Sequence, residues 1–234
     1  MAEPVKLQSS NRIWIAAIAA IVVVAVAVLT AISVTGGDDA KPTSNLAGIE
    51  DATALFAGIP QSGLVIGNPS APVTIVEYLD VQCPHCKDAA TSTIPKLVSQ
   101  FIKTGQAKLQ LQPLAFIGDD SSRGALALIA AGQQNRAAEF AEILFRNQGA
   151  ENDGWLTDGV IDGIATALKL DGGKLNDART DDASKDELEK ISKVAEEDEV
   201  QSTPTFIVKG PKGEKQIENR QNIVEFTQAI AQVK

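Results

Sequence analysis

The stretch VTIVEYLDVQCPHC, residues 73–86, decides how this chain is read. Val73 to Leu79 are β-branched, aromatic or apolar apart from Glu77, and read as a buried central strand rather than a half-exposed one. Cys83-Pro84-His85-Cys86 follows at once and opens a helical stretch to about Gly105, with Ile94, Leu97, Val98, Phe101 and Ile102 at helical spacing. Pro95 lies inside that stretch and is expected to kink it. Residues 107–114, AKLQLQPL, alternate apolar and polar and predict a second strand. Strand, helix, strand in that order predicts parallel pairing with a right-handed crossover.

This order places the cysteines where a thiol becomes reactive. Backbone N–H groups at a helix N-terminus are unpaired and carry partial positive charge, which favours thiolate at Cys83. Cys86 lies one turn further on the same face, close enough to form a disulfide with it. Pro84 suits the first helical turn, where its missing N–H is no loss. An imidazolium at His85, beside Cys83, would lower the Cys83 pKa further. It would make the sulfur a better leaving group and the disulfide an oxidant. Glu77 lies six residues before Cys83, in mid-strand, where a buried carboxyl is unfavourable unless it has a task. The task expected of it is moving a proton on or off Cys86. The bland reading is a solvated or ion-paired carboxylate at a strand end. Thr203-Pro204-Thr205 precedes a last apolar strand at 205–208. Pro204 is expected to hold a cis bond and leave a flat backbone edge near the disulfide, to which a substrate peptide adds as a strand. The alternative is an ordinary trans proline at a strand start.

Outward from this centre, residues 120–198 read as an all-helical block. Ser121 and Ser122 are expected to cap its first helix, and Ala138, Phe140, Ile143 and Leu144 mark its second. Thr157 is expected to cap a third, and Leu188, Ile191 and Val194 mark the inner face of a charged fourth. After the strand at 205–208, Lys209-Gly210-Pro211-Lys212-Gly213 is a turn. Residues 214–218 are expected to return antiparallel, before a final helix from about Gln221 to Val233.

Ile13 to Val34 form 22 residues without charge or proline. At 1.5 Å per residue they span about 33 Å, enough for a bilayer core of about 30 Å. Lys6 and Arg12 precede the run and Asp38 and Asp39 follow it, which puts residues 1–12 in the cytoplasm and the rest outside. The run exceeds the apolar length of a cleaved signal peptide and is read as an uncleaved anchor. The expected organisation is a cytoplasmic tail at 1–12, an anchor at 13–34 and a linker with a short helix at 35–62. A strand-and-helix domain in two pieces, 63–119 and 199–234, and the helical insertion at 120–198 complete it.

Composition narrows the function. The chain has 234 residues, 44% hydrophobic and 22% charged, a globular balance. Its net charge of -9 argues against nucleic acid, which is bound through clustered cations. With 2 cysteines and 1 histidine it lacks the four ligands of a structural zinc site, and a Ser-His-Asp triad could use only His85. The bland reading of Cys83 and Cys86, a small structural disulfide, closes a loop too short to stabilise much.

The whole pattern resembles the thioredoxin superfamily, and within it the DsbA-like thiol–disulfide oxidoreductases. The resemblance covers about residues 63–234 and is carried by VTIVEYLDVQCPHC, the helical insertion and QSTPTFIVKG. Cys-Pro-His-Cys is the DsbA-type dipeptide choice, Glu77 falls at the family's buried-acid position, and Thr203 and Pro204 fall at its cis-proline pair. The resemblance implies an α/β thioredoxin fold split by a helical domain. It also implies catalysis of disulfide formation in exported proteins with free thiols, without metal or organic cofactor. The membrane-anchored form looks like those of Gram-positive bacteria, with a quinone-linked membrane partner as reoxidant. Asp80 departs from the pattern: an extra acid three residues before Cys83 would, if close, raise the Cys83 pKa and soften the oxidant reading. The rival readings are a reductase or isomerase on the same fold, and a non-catalytic binder of unfolded exported chains.

Overall fold

The computed structural model describes residues 45–218 and 220–234. The apolar run at 13–34 and residues 1–12 before it, read above as an anchor and a cytoplasmic tail, lie outside the described residues. The fold is built outward from β3 (Val73–Asp80), every residue of which is buried except Thr74. It runs parallel to β4 (Ala107–Leu114), with Glu77 opposite Leu111, as the strand–helix–strand order predicts. On its other side β3 pairs antiparallel with β5 (Thr205–Gly210), which pairs with β6 (Gly213–Gln216) across a tight turn. Two short strands complete the opposite edge, β1 (Gln61–Ser62) and β2 (Val65–Ile66), giving the order β1-β2-β4-β3-β5-β6. β3 therefore sits inside the sheet, between β4 and β5, which is why its residues need to be apolar on both faces.

Helix α1 (Ile49–Phe56) precedes the sheet and buries Ala52 and Phe56. The helix after the cysteines is broken as Pro95 predicts. α2 (Pro84–Ser92) ends at Thr93, and α3 (Ile94–Leu97) resumes and runs into a π-turn at Val98–Ile102. α9 (Ile223–Val233) closes the sheet on the β5 side and stacks Phe226 edge-on to Phe206, ring centres 5.2 Å apart.

The insertion holds five helices: α4 (Asp119–Gln133), α5 (Ala137–Arg146), α6 (Asp158–Ala167), α7 (Gly172–Ala178) and α8 (Asp182–Glu197). Thr157 caps α6 as expected, accepting from the Val160 N–H. Three local expectations are corrected. α4 starts three residues early, after Gly118, so Ser121 lies inside the first turn with its hydroxyl committed to Asp80 rather than to capping. α7, capped by Asp171, was not anticipated: its GGKLNDA sequence carries almost no apolar period. Val194 of α8 faces solvent at 38% exposure, while Ile191 and Ala195 are buried, so the inner stripe turns one residue past the expected one.

Candidate active site

β3 delivers the chain to the carboxyl edge of the sheet, and a tight turn there starts α2. The Cys83 N–H donates to the Asp80 carbonyl at 3.0 Å, and the Cys83 carbonyl accepts from the Cys86 and Lys87 N–H groups. Cys83 is the N-cap of α2 and Pro84 its first residue, which sets the N–H groups of His85 and Cys86 at the helix start towards the Cys83 sulfur. Both cysteines are free, with Cys83 6% exposed and Cys86 fully enclosed.

The two thiols are strongly unequal. Cys83 is held down to about 5, first by a hydrogen bond from Cys86 and further by Thr203 and the backbone N–H groups of Cys86 and His85; partial burial opposes this. Cys86 is pushed well above the ordinary thiol value, first by burial and then by its bond to Cys83, with Glu77 adding to the rise. A low first thiol and a high second thiol make Cys83 the exchanging sulfur and Cys86 the one that keeps its proton.

The Thr203–Pro204 bond is cis, and the loop before β5 faces the cysteines across the sheet edge. The Cys83 thiol donates to the Thr203 carbonyl at 3.2 Å. Pro204 is buried beneath it.

Glu77 is 2% exposed and lies opposite Phe206 and Leu111 on the neighbouring strands. Its Oε1 has no hydrogen-bond partner among the described residues. Burial, and secondarily the charge of Glu142, raise its carboxyl to about 8. It is neither the solvated nor the ion-paired carboxylate of the bland reading.

The structure therefore brings Cys83, Cys86, Thr203, Pro204 and Glu77 together. It does not bring in the His85 imidazole. That ring is 61% exposed and stands 3.7 Å from the Asp88 carboxylate, so what reaches Cys83 from His85 is its backbone N–H.

Asp80 lies close to the cysteines and is tied into the turn by hydrogen bonds. It is fully buried and its carboxylate is fully used. It accepts from the Gln82 N–H (2.9 Å), the Ser121 hydroxyl (2.6 Å), and the Phe116 and Ile117 N–H groups (2.8 and 3.2 Å). Asp80 is thus a clamp that ties the loop after β4 and the start of α4 to the active-site turn. Its own N–H lies 3.4 Å from the Cys86 sulfur. Gln148 adds a second tie, donating to the Val81 and Cys83 carbonyls. Neither role is visible in the sequence, since both depend on segments over 30 residues away meeting one turn. The clamp also presents Phe116, 54% exposed, at the edge of the site.

A thioredoxin-type sheet with an unequal dithiol at a helix start and a cis-proline loop opposite it defines a thiol–disulfide oxidoreductase. Comparison with known proteins agrees. The Thioredoxin family profile matches residues 60–231. A probable disulfide bond formation protein D of Bacillus cereus is 32% identical over 161 residues, 67% of this chain and 73% of that protein. Disulfide bond formation protein D of Bacillus subtilis is 30% identical over 147 residues, 62% of this chain and 66% of that protein. The crystal structure of oxidised BdbD from Bacillus subtilis superposes with a TM-score of 0.65 at 28% identity, covering 74% of this chain and 96% of that one. The chain belongs to the thioredoxin family, as a DsbA-like thiol–disulfide oxidoreductase with a helical insertion.

Proposed function

We propose that this oxidoreductase introduces disulfide bonds into exported proteins through Cys83 and Cys86 while anchored in the cell membrane by residues 13–34. The observation that carries the direction is the unequal dithiol. A thiolate stabilised at Cys83 favours the reduced form of the pair, and so makes the disulfide an oxidant.

In the reaction a substrate thiolate attacks Cys83 of the Cys83–Cys86 disulfide. A mixed disulfide forms, and Cys86 leaves as a thiolate that takes a proton. A second substrate thiolate attacks the substrate sulfur of the mixed disulfide and expels Cys83 as a thiolate. Two electrons pass from the substrate dithiol to the pair, and the substrate gains its disulfide. Glu77, close to Cys86 and predominantly protonated near neutral pH, supplies the proton. Thr203 and the edge at Pro204 orient the substrate backbone. His85 acts through its N–H and leaves its ring at the surface. The cycle closes when a quinone-linked membrane protein reoxidises the pair. The anchor and its charge bias in the sequence support an extracytoplasmic catalytic domain and a cytoplasmic N-terminus.

The test is turnover of a reduced dithiol peptide alongside protection of an unfolded protein from aggregation. Cys83→Ser and Cys86→Ser are each expected to lower oxidation of the reduced peptide to background, and the Cys83 thiolate of Cys86→Ser to capture a peptide supplied as its mixed disulfide with glutathione, releasing glutathione thiol. Retention of full biological function by Cys83→Ser would instead identify a non-catalytic binder.

A further inference from the structure

Behind the cysteines, between the sheet face and helices α1, α2 and α5, lies a cavity of about 20 Å³. Its walls are apolar, among them Phe56, Ala90, Leu111 and Ala141, except for two carboxyl side chains, Glu77 and Glu142. A volume of about 10–15 Å³ suffices for one water, provided that polar partners line it. Two are present, and one of them, the buried Glu77, offers an oxygen without a protein partner. Glu142 is 2% exposed, and the Arg146 Nε donates to its Oε1 at 2.8 Å. Arg146 in turn pairs with Asp51 of α1 at 3.0 Å, and Asp51 is 69% exposed. A line of polar groups therefore runs from Glu77, whose charge is felt at Cys86, through Glu142 and Arg146 to Asp51 at the surface.

We propose that Glu142 is the outer carboxyl of a proton path that serves Cys86, joined to Glu77 by a water in this cavity and held at the path's mouth by Arg146. This deepens the reading of Glu77 given above and rests on it. When Cys86 leaves as a thiolate it takes the Glu77 proton, and the Glu77 carboxylate is left buried among apolar walls. A proton from solvent reaches Glu142, crosses the water and restores Glu77. When the pair is reoxidised, the Cys86 proton returns by the same route. One proton enters per Cys86 thiolate formed, and no electron moves along the path. The groups facing Glu142 suit this task. Burial raises its carboxyl above the ordinary value while Arg146 restrains the rise. Asp51 adds negative charge from α1, Glu77 faces it from β3, and α2 lines the cavity with Ala90 and places Cys86 near Glu77. Glu142 touches neither substrate nor sulfur; it is a positioning residue for the proton.

The test measures oxidation of a dithiol peptide by the oxidised 234-residue chain in detergent, by stopped flow, across pH and in H2O and D2O. Infrared spectroscopy follows the Glu77 carboxyl. Glu142→Gln is expected to slow the transfer about tenfold near pH 7, to raise the solvent isotope effect and to shift the Glu77 titration downward. Ala141→Val fills the cavity, keeps both carboxyls and is expected to slow transfer in the same pH-dependent way; it decides the matter if Glu142→Gln does not fold. The proposal is overturned if both variants keep the wild-type pH profile and isotope effect, or if they slow the reaction uniformly at every pH. Glu77→Gln separates the two layers. If it slows transfer while Glu142→Gln does not, only the path fails. If it leaves transfer unchanged, the proton role of Glu77 fails and the path with it.

Discussion

Reduced Cys83 is expected to alkylate with a pH profile that is flat from about pH 8 down to about pH 6 and then falls tenfold per pH unit below about 5. An ordinary thiol at 9.0 is about 1% thiolate at pH 7, whereas Cys83 held near 5 is almost wholly thiolate, about a hundredfold more. The rate at pH 7 is a poor readout on its own, because a less basic thiolate is also a weaker nucleophile. The profile separates the two effects, and ultraviolet thiolate absorbance measures the same titration without a reagent. Cys86 is expected to stay unmodified in the folded chain, since it is enclosed and keeps its proton. A profile still rising between pH 8 and 9 would show that neither the Cys86 bond nor the helix start lowers Cys83.

The reduced chain is expected to be more stable than the oxidised chain at neutral pH. The sign follows from Cys83. Its folded value lies below its unfolded one, so ionisation stabilises the folded state at pH values above about 5, and the gain is lost as pH falls through about 5. At pH 7, two pH units above that value, the gain is about 2–3 kcal/mol, discounting for the sulfur's partial contact with solvent. The disulfide offsets part of this: closing a loop of four residues contributes about 2 kcal/mol by chain entropy. Glu77 works in the opposite sense: its raised carboxyl destabilises the folded chain as pH rises through about 8. Its causes, burial and Glu142, are present in both redox forms, so it cancels to first order. For a domain of this size the remaining gap of about 1 kcal/mol is about 2–4 °C in Tm at pH 7. Calorimetry on both forms is expected to show this gap narrowing towards pH 4. An oxidised form that melts higher, or a gap independent of pH, would contradict the assignment of Cys83 as the stabilised thiolate.

Much of the centre was legible because its signals are local. VTIVEYL is apolar on both faces, and it became an interior strand. AKLQLQPL became β4 with the expected bounds, and Pro95 fell where the helix breaks. The strand–CPHC–helix order and the Thr203-Pro204 pair also met at one sheet edge. The misses come from tertiary partners. Asp80 reads as a charge near a thiol, but three N–H groups and a hydroxyl, drawn from Gln82 and from residues 116–121, consume its carboxylate. Ser121 reads as a cap, but it lies inside the helix and donates to Asp80. His85 reads as a tuning imidazolium; its side chain is largely exposed beside Asp88, and its backbone N–H reaches the Cys83 sulfur. Glu139 and Glu142 sit on what looks like the polar side of an amphipathic helix, but α5 is covered on that side too. Gln61 and Arg136 bond the first, and Arg146 bonds the second. Sequence periodicity shows which residues are polar; only packing shows which of them are enclosed.

The central claim, that the unequal dithiol makes this chain an oxidant, is tested most directly by its equilibrium reduction potential, measured against glutathione with thiol trapping. Stabilising the reduced form by 1.4 kcal/mol raises a two-electron potential by about 30 mV. With this dithiol the expected value lies far above about -270 mV, towards the oxidising end near about -120 mV. A value near about -270 mV would contradict it and make the chain an extracytoplasmic reductase or isomerase that draws electrons from the membrane.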